Sequence, residues 1–340
     1  MAFIPPEIGI DLGSTNISVY VRKRGIVVSE PAILVIDKED QRQVRAVGDE
    51  ASYLLGRATN DLIPVEPIRA GLPTHFELAQ ILIKYFVRKA IGNSYIGRPT
   101  ILVSAPCGMK DIDEKALREA VVLSGTRGGR VHIIQKPFLA GIGSGLPVYD
   151  PVGSMVVDIG GGTTDVAVLS LGGVVISQSI QVGGMRMDQA IMDYMQREFQ
   201  MSIGRQTAEA IKMDLASAMP LTEPRTITVR GRDQQHPRAM TVELSSTQAY
   251  EAIREPCKAI LAAIRWVLER TPPELAADIM RTGIHLTGGC AQLFALDQYI
   301  SSELGIPVLL AREPADCTIL GLGYLTENIH LVTGTDKHGN

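Results

Sequence analysis

Cysteine is scarce in this chain and widely spaced: Cys107, Cys257, Cys290 and Cys317 form no CxxC pair. That excludes a zinc site built on paired thiols and a disulfide framework, and it fits a reduced cytoplasmic protein. No apolar run reaches the roughly 18 residues a spanning helix needs. The N-terminus has no basic segment leading into an apolar core, so no signal peptide is expected. Neither sign of charge dominates: the net charge is −4, and nothing global argues for nucleic acid as a partner. GxxxxGK[ST] occurs nowhere, which sets aside the P-loop proteins. Low-complexity segments are absent, and the closing TGTDKHGN reads as a frayed tail.

What is present is an ordinary globular balance, 45% hydrophobic and 21% charged over 340 residues, a length that favours two domains or one domain with a large elaboration. The chain is organised around residues 155–170, MVVDIGGGTTDVAVLS. Apolar residues run into Asp158, a glycine-rich turn follows (Gly160, Gly161, Gly162, Thr163, Thr164), and apolar residues run out again after Asp165, as in strand, turn, strand. Successive glycines let a ligand approach the main chain, and successive N–H groups in such a turn make an anion-binding concavity. A carboxylate alone would repel phosphate, so Asp158 and Asp165 beside a phosphate loop suggest Mg²⁺ between them. A tight hairpin with no ligand explains one such turn equally well. A second copy shifts the balance: residues 7–21, EIGIDLGSTNISVYV, repeat the pattern around Asp11, and 158 − 11 = 147 positions separate the two aspartates. An internal repeat at that distance predicts two similar domains facing one ligand.

In chain order, residues 25–36 predict two strands split at Ser29-Glu30-Pro31. Phe76–Ile91 has the 3–4 apolar spacing of an amphipathic helix, stopped at Gly92-Asn93. In the next loop Tyr95 and Ile96, beside Lys89 and Arg98, are candidates to touch a membrane surface or a partner; an apolar loop tucked onto its own domain fits as well. Residues 100–105 read as a buried strand and Asp111–Leu123 as a helix with acids in its first turn. Residues 131–145 carry a strand into Gln135-Lys136-Pro137 and a small-residue helix, a candidate connector between domains. Further helices are expected over 188–199, 207–218, 247–269 (with Pro256 inside) and 318–327, and strands over 174–180, 283–287 and 306–310. Residues 227–242 read as an exposed hairpin. Glu209 and Lys212 share a helix face; they form either a solvated ion pair or a pair that hydrogen-bonds ribose hydroxyls. Gly288, Gly289, Cys290 and Ala291 follow a strand at the start of a helix, where glycine lets a flat ligand lie against backbone. Trp266, the sole tryptophan, is expected in packing.

IDLGSTN, VDIGGGTTD and LTGGC, in this order and spacing, resemble the two phosphate loops and the adenosine loop of the superfamily of actins, heat-shock chaperone ATPases and sugar kinases. Within it, VYVRKRGIVVSEPAI, VGGMRMDQAI, IGRQTAEAIK, TPPELAADI and GIHLTGGC are similar to the bacterial rod-shape-determining actin homologues, the MreB family, over nearly the full chain. The resemblance implies an actin-like α/β fold of two lobes, each with a mixed five-stranded sheet flanked by helices and with ATP-Mg²⁺ in the cleft. The lobes are expected at 1–149 (small subdomain about 32–75) and 150–325 (small subdomain about 186–250), with 326–340 packing back on the first lobe or frayed. It further implies ATP-dependent self-assembly into filaments at the inner membrane surface, on its cytoplasmic face, with cell-wall-synthesis and morphogenesis membrane proteins as partners and no nucleic acid.

Carried over by residue, Gly13, Ser14, Thr15 and Asn16 match the first phosphate loop, and Gly160, Gly161, Gly162, Thr163 and Thr164 the second. Asp11 and Asp158 match the residues that hold hydrated Mg²⁺. Glu209 and Lys212 match a ribose-contacting pair, Gly288 to Ala291 the adenosine loop, and Tyr95 with Ile96 a hydrophobic membrane loop; Phe3 and Ile4 would add to that contact. Three positions depart from the family. Its Glu-Glu-Pro, whose second Glu activates the attacking water, is Gln135-Lys136-Pro137 here. A base must accept a proton, and a protonated lysine cannot. Lys136 would instead attract the γ-phosphate, and Asp165 is left as the acid near the water, so slow hydrolysis is expected. Cys290 replaces a glycine, and Met185 an acidic residue. The alternatives are a small-molecule kinase of the same superfamily, which would carry larger substrate-binding insertions, a chaperone, which would need a following peptide-binding domain, and a nucleotide-binding filament protein without turnover.

Overall fold

The computed structural model describes residues 6–55, 61–92, 98–124, 129–236 and 238–333. Phe3, Ile4, Tyr95 and Ile96, named above for a membrane contact, lie outside the described residues. The chain divides into two compact units, Met1–Pro147 with Asp316–Asn340, and Val148–Ala315.

The first unit opens with β1 (Glu7–Leu12), β2 (Asn16–Val21) and β3 (Gly25–Pro31), an antiparallel meander. β4 (Leu34–Asp37), β5 (Val44–Val47), α1 (Asp49–Leu55) and β6 (Leu62–Val65) make a small three-stranded sheet with one helix, and β7 (Ile68–Arg69) turns back on β8 (Leu72–Pro73). α2 (Phe76–Ile91) follows, burying Ala79, Leu82, Ile83, Phe86, Val87 and Ala90 at helical spacing and stopping at Gly92 with φ 80°. Then come β9 (Thr100–Ala105), α3 (Asp111–Leu123), β10 (Arg130–Gln135) and α4 (Lys136–Gly143). The sheet order is β10-β9-β1-β2-β3. β9 runs parallel to β1 and β10, as a strand–helix–strand crossover requires.

The second unit repeats that plan. β11 (Ser154–Ile159), β12 (Thr164–Ser170) and β13 (Gly173–Ile180) form the meander. α5 (Gly184–Phe199), β14 (Met201–Ser202), α6 (Arg205–Asp214), β15 (Thr226–Asp233), β16 (Ala239–Ser245), α7 (Ser246–Glu269) and α8 (Pro273–Thr282) intervene before β17 (Ile284–Thr287), α9 (Leu296–Leu304) and β18 (Val308–Leu310). The sheet order β13-β12-β11-β17-β18, with β17 and β18 parallel to β11, mirrors the first sheet strand for strand. The 147-residue repeat is therefore a repeat of architecture.

The chain then returns to the first unit as α10 (Cys317–Glu327) and α11 (His330–Thr333). α10 packs on α4 backbone to backbone: a Cβ on Gly321 would lie 2.0 Å from the Leu139 carbonyl oxygen, and one on Gly143 would lie 1.8 Å from that of Cys317. Residues 316–325, assigned above to the second lobe, belong to the first unit for this reason. Other expectations shift locally. β3 runs through Pro31, so the strand break falls at 32–33. α5 begins at Gly184, ahead of the expected 188, and α6 stops at Asp214, short of the expected 218. The segment after β17 is one 3₁₀ turn, Gly289–Gln292. Trp266 is 36% exposed, packed under the Arg270 guanidinium at 4.2 Å from the ring centroid.

Candidate functional site

In the first unit the loop at 13–16 closes β1 onto β2. Gly13 sits against the chain's own return, since a Cβ there would lie 2.3 Å from the Asn16 carbonyl oxygen. Ser14 is buried, Thr15 and Asn16 are exposed. Asp11 Oδ1 accepts a hydrogen bond from Ser104 Oγ at 2.6 Å, and Ser104 Oγ accepts one from the Leu12 amide at 3.1 Å. Lys136 Nζ approaches the same Asp11 oxygen at 3.3 Å. Lys136 opens α4 and is buried, its side chain 11% exposed. A cation at a helix N-terminus opposes the helix dipole, so Asp11 is what makes the position tolerable. The β7–β8 turn lies over this cluster. Ala70, at φ 52°, donates its amide to Ser14 Oγ at 2.9 Å. A Cβ on Gly71 (φ 74°) would come within 3.6 Å of the Leu12 carbonyl oxygen and 3.8 Å of Lys136 Cε.

In the second unit the β11–β12 register sets Asp158 directly opposite Asp165. Opposed residues project to one face with Cβ atoms roughly 5 Å apart. Asp165 is fully buried and Asp158 nearly so. Thr163 Oγ1 donates to Asp165 Oδ2 at 3.1 Å and Thr287 Oγ1 to Asp158 Oδ1 at 3.0 Å. Two neighbouring carboxylates out of water repel each other, which a counter-charge or a shared proton relieves. The loop between them closes by Gly160 N–H to the Thr163 carbonyl, 2.8 Å. It is braced by the start of α5: Gly184 and Met185 donate their amides to the carbonyls of Gly160 (3.0 Å) and Gly161 (2.8 Å). Gly183 is in contact with the same backbone, for a Cβ there would lie 2.5 Å and 2.8 Å from those two oxygens.

Gly184 is the junction of the second unit's predicted site segments. A Cβ there would lie 2.5 Å from Cys290 Sγ, 3.1 Å from Lys212 Nζ and 3.8 Å from Gly161 Cα. Lys212 turns away from the solvated pairing with Glu209 and bonds Asp188 Oδ1 at 2.7 Å, the two side chains 11% and 3% exposed. Burial pushes the Asp188 carboxyl above its ordinary value, against the ammonium that pulls it down. Burial likewise raises the Cys290 thiol, which keeps it uncharged. Gly288 (φ 85°) donates its amide to the Pro314 carbonyl at 2.6 Å, and a Cβ there would lie 2.3 Å from the Ile159 carbonyl oxygen. Gly289 is exposed with open space around its Cβ direction, and Ala291 is buried beneath.

Each predicted loop is thus formed within its own unit, and in the second unit Gly161, Lys212 and Cys290 are drawn together. Sequence reasoning missed Ser104, Asp188, Thr287 and the Ala70-Gly71 turn. Two of these had a signal: Ser104 interrupts an apolar strand, and Asp188 falls on the apolar stripe of α5 with Met187, Ile191 and Met195. Among the described residues no group of three or more His, Cys, Asp or Glu side chains is placed to hold a metal ion; the role expected above is to fix a hydrated ion. Asp158 suits that role. Asp11 suits it less, because Lys136 already matches its charge.

The family model for the MreB/Mbl protein matches residues 5–334. The chain is 40% identical over 323 residues to the cell shape-determining protein Mbl of Bacillus subtilis (strain 168), covering 95% of this chain and 96% of that protein. It superposes on the crystal structure of MreB5 of Spiroplasma citri bound to ADP with a TM-score of 0.90 at 30% identity, over 98% of this chain and 99% of that one. It also superposes on a chain of the MamK double helical filament with a TM-score of 0.78 over 95% and 99% of the two chains; at 19% identity this likeness bears on the fold alone.

Proposed function

Because the chain belongs to the MreB/Mbl family and has its actin-like fold, we propose that it is a cytoskeletal protein that binds ATP-Mg²⁺ and polymerises into membrane-associated filaments. These filaments organise cell shape and cell-wall synthesis at the inner face of the cell membrane. The observation that carries the nucleotide reading is the convergence of Gly161, Lys212 and Cys290 on Gly184, which sets a phosphate-type glycine loop beside a glycine-bearing segment open enough for a flat ring. The relative bound to ADP supports it, and the filament reading draws on the cell-shape relative. In the second unit Gly160 to Thr164 would take phosphate, Gly288 to Ala291 the base and Glu209 the ribose; in the first unit Gly13 to Asn16 would offer a phosphate loop of the same kind. Lys212, committed to Asp188, would hold the pocket's shape. A bound Mg²⁺ would screen the phosphate charge, with Asp158 fixing its water shell.

Hydrolysis would be slow. Lys136 offers no proton acceptor. Asp165, fully buried and bonded to Thr163, would be left as the acid near the water. Sedimentation and phosphate release, measured together with and without Mg-ATP, test the reading. ATP-dependent pelleting with slow phosphate release is expected. No ATP-dependent pelleting would remove the filament assignment, and release as fast as in relatives with a glutamate at position 136 would remove the slow-hydrolysis assignment.

A further inference from the structure

Lys136 is an unusual choice for its place. It is a buried ammonium at the first turn of α4, where the dipole repels it, and a structural role there is served better by an apolar residue of similar volume. It lies against Asp11 Oδ1, which Ser104 also engages. Its stem passes under Gly71, beside the turn whose Ala70 amide holds Ser14 of the loop. The ammonium thus sits at Asp11, on the strand that leads into the Gly13–Asn16 loop, and its stem lies beside the turn that holds Ser14.

We propose that Lys136 is a built-in counter-ion for the phosphates at the Gly13–Asn16 loop, making ATP binding by this chain largely independent of a divalent cation. The inference rests on the nucleotide-binding reading above. Two consequences of the geometry combine. The Lys136–Asp11 pair removes most of the carboxylate's attraction for a divalent ion. When a triphosphate arrives, its greater negative charge competes with Asp11 for the ammonium, which sits on a flexible four-carbon stem and can lean toward it. The charge that a metal supplies elsewhere is then already on the protein.

The test is a titration of the full chain with a fluorescent ATP analogue, in Mg²⁺ and in EDTA, for the wild type, Lys136→Gln and Lys136→Arg. Removing Mg²⁺ is expected to weaken wild-type binding by less than about 5-fold, and Lys136→Gln by more than about 50-fold, since a unit charge near phosphate is lost. Lys136→Arg, which keeps the charge, is expected to follow the wild type. Wild-type binding that falls 50-fold or more in EDTA overturns the proposal while leaving nucleotide binding intact, and this arm decides the matter even where Lys136→Gln fails to fold. Equal, small losses in the wild type and a folded Lys136→Gln overturn the role of Lys136. No wild-type binding in either buffer removes the nucleotide reading, and the proposal with it.

Discussion

Truncating Lys212 to methionine should destabilise the second unit, and the deficit should shrink in acid. The Lys212–Asp188 pair is 2.7 Å long with side chains 11% and 3% exposed. At an effective dielectric of about 20, the attraction over that distance is about 6 kcal/mol. Desolvating the two ions costs several kcal/mol each, so the intact pair is close to neutral for stability. Removing one partner leaves Asp188 buried and uncompensated, a change worth about 3–5 kcal/mol. The pH dependence follows from the direction of the Asp188 shift. Burial raises its carboxyl in the folded protein, so folding takes up a proton between the ordinary carboxylate value and the raised one. Stability therefore falls as pH rises through that window and the penalty vanishes below it. Losing Lys212 removes the ammonium that pulls this carboxyl down, so the window widens upward. Urea unfolding followed by Trp266, which lies on α7 in the same unit, gives the measurement, at pH 5 and pH 8. Lys212→Met should lose more at pH 8 than at pH 5, and Asp188→Asn in the Lys212→Met background should recover most of the loss. A deficit under about 1 kcal/mol, or one that does not change with pH, refutes the reasoning.

Two further outcomes are expected. Gly183→Ala forces a methyl against two backbone oxygens of the 160–161 turn; a loss of about 1–3 kcal/mol with displacement of that loop should appear as a lower Tm and at least tenfold weaker nucleotide binding, and an unchanged affinity would count against the loop's role. In the first unit burial works to raise the Glu30 carboxyl but is outweighed by Lys89, the Asp49 amide and the Tyr85 hydroxyl, so it sits below its ordinary value. Its contribution is present above the ordinary carboxylate value and is lost as pH falls through the lowered one; Glu30→Gln should lower thermal stability at pH 7, and the difference from wild type should disappear in strong acid.

Much of the local structure is readable in the chain itself. α2, α3 and β9 fall where the sequence puts them: α2 and α3 bury residues at helical spacing, α2 stops at Gly92, and β9 is an apolar run buried on both faces. The two Asp-x-Gly turns are legible because each lies between apolar runs and the second repeats the pattern of the first. Elements with weak periodicity are not legible: β5 to β8 are short, and α8 and α9 bury only one or two residues each on the core side.

The sequence by itself determined the repeated hairpins, the spacing of the glycine segments and the lysine at position 136, since these are properties of neighbours along the chain. Only the tertiary structure decided which unit claims α10, because that depends on Gly143 and Gly321 letting two helices meet across 178 positions of sequence (321 − 143). It also decided the partners of the buried charges. Lys212 could have met Glu209 one turn away, yet it bonds Asp188 on another helix, and Lys136 meets Asp11 from a different strand end. A buried ion takes the partner that packing places within reach, and packing is set by the whole fold.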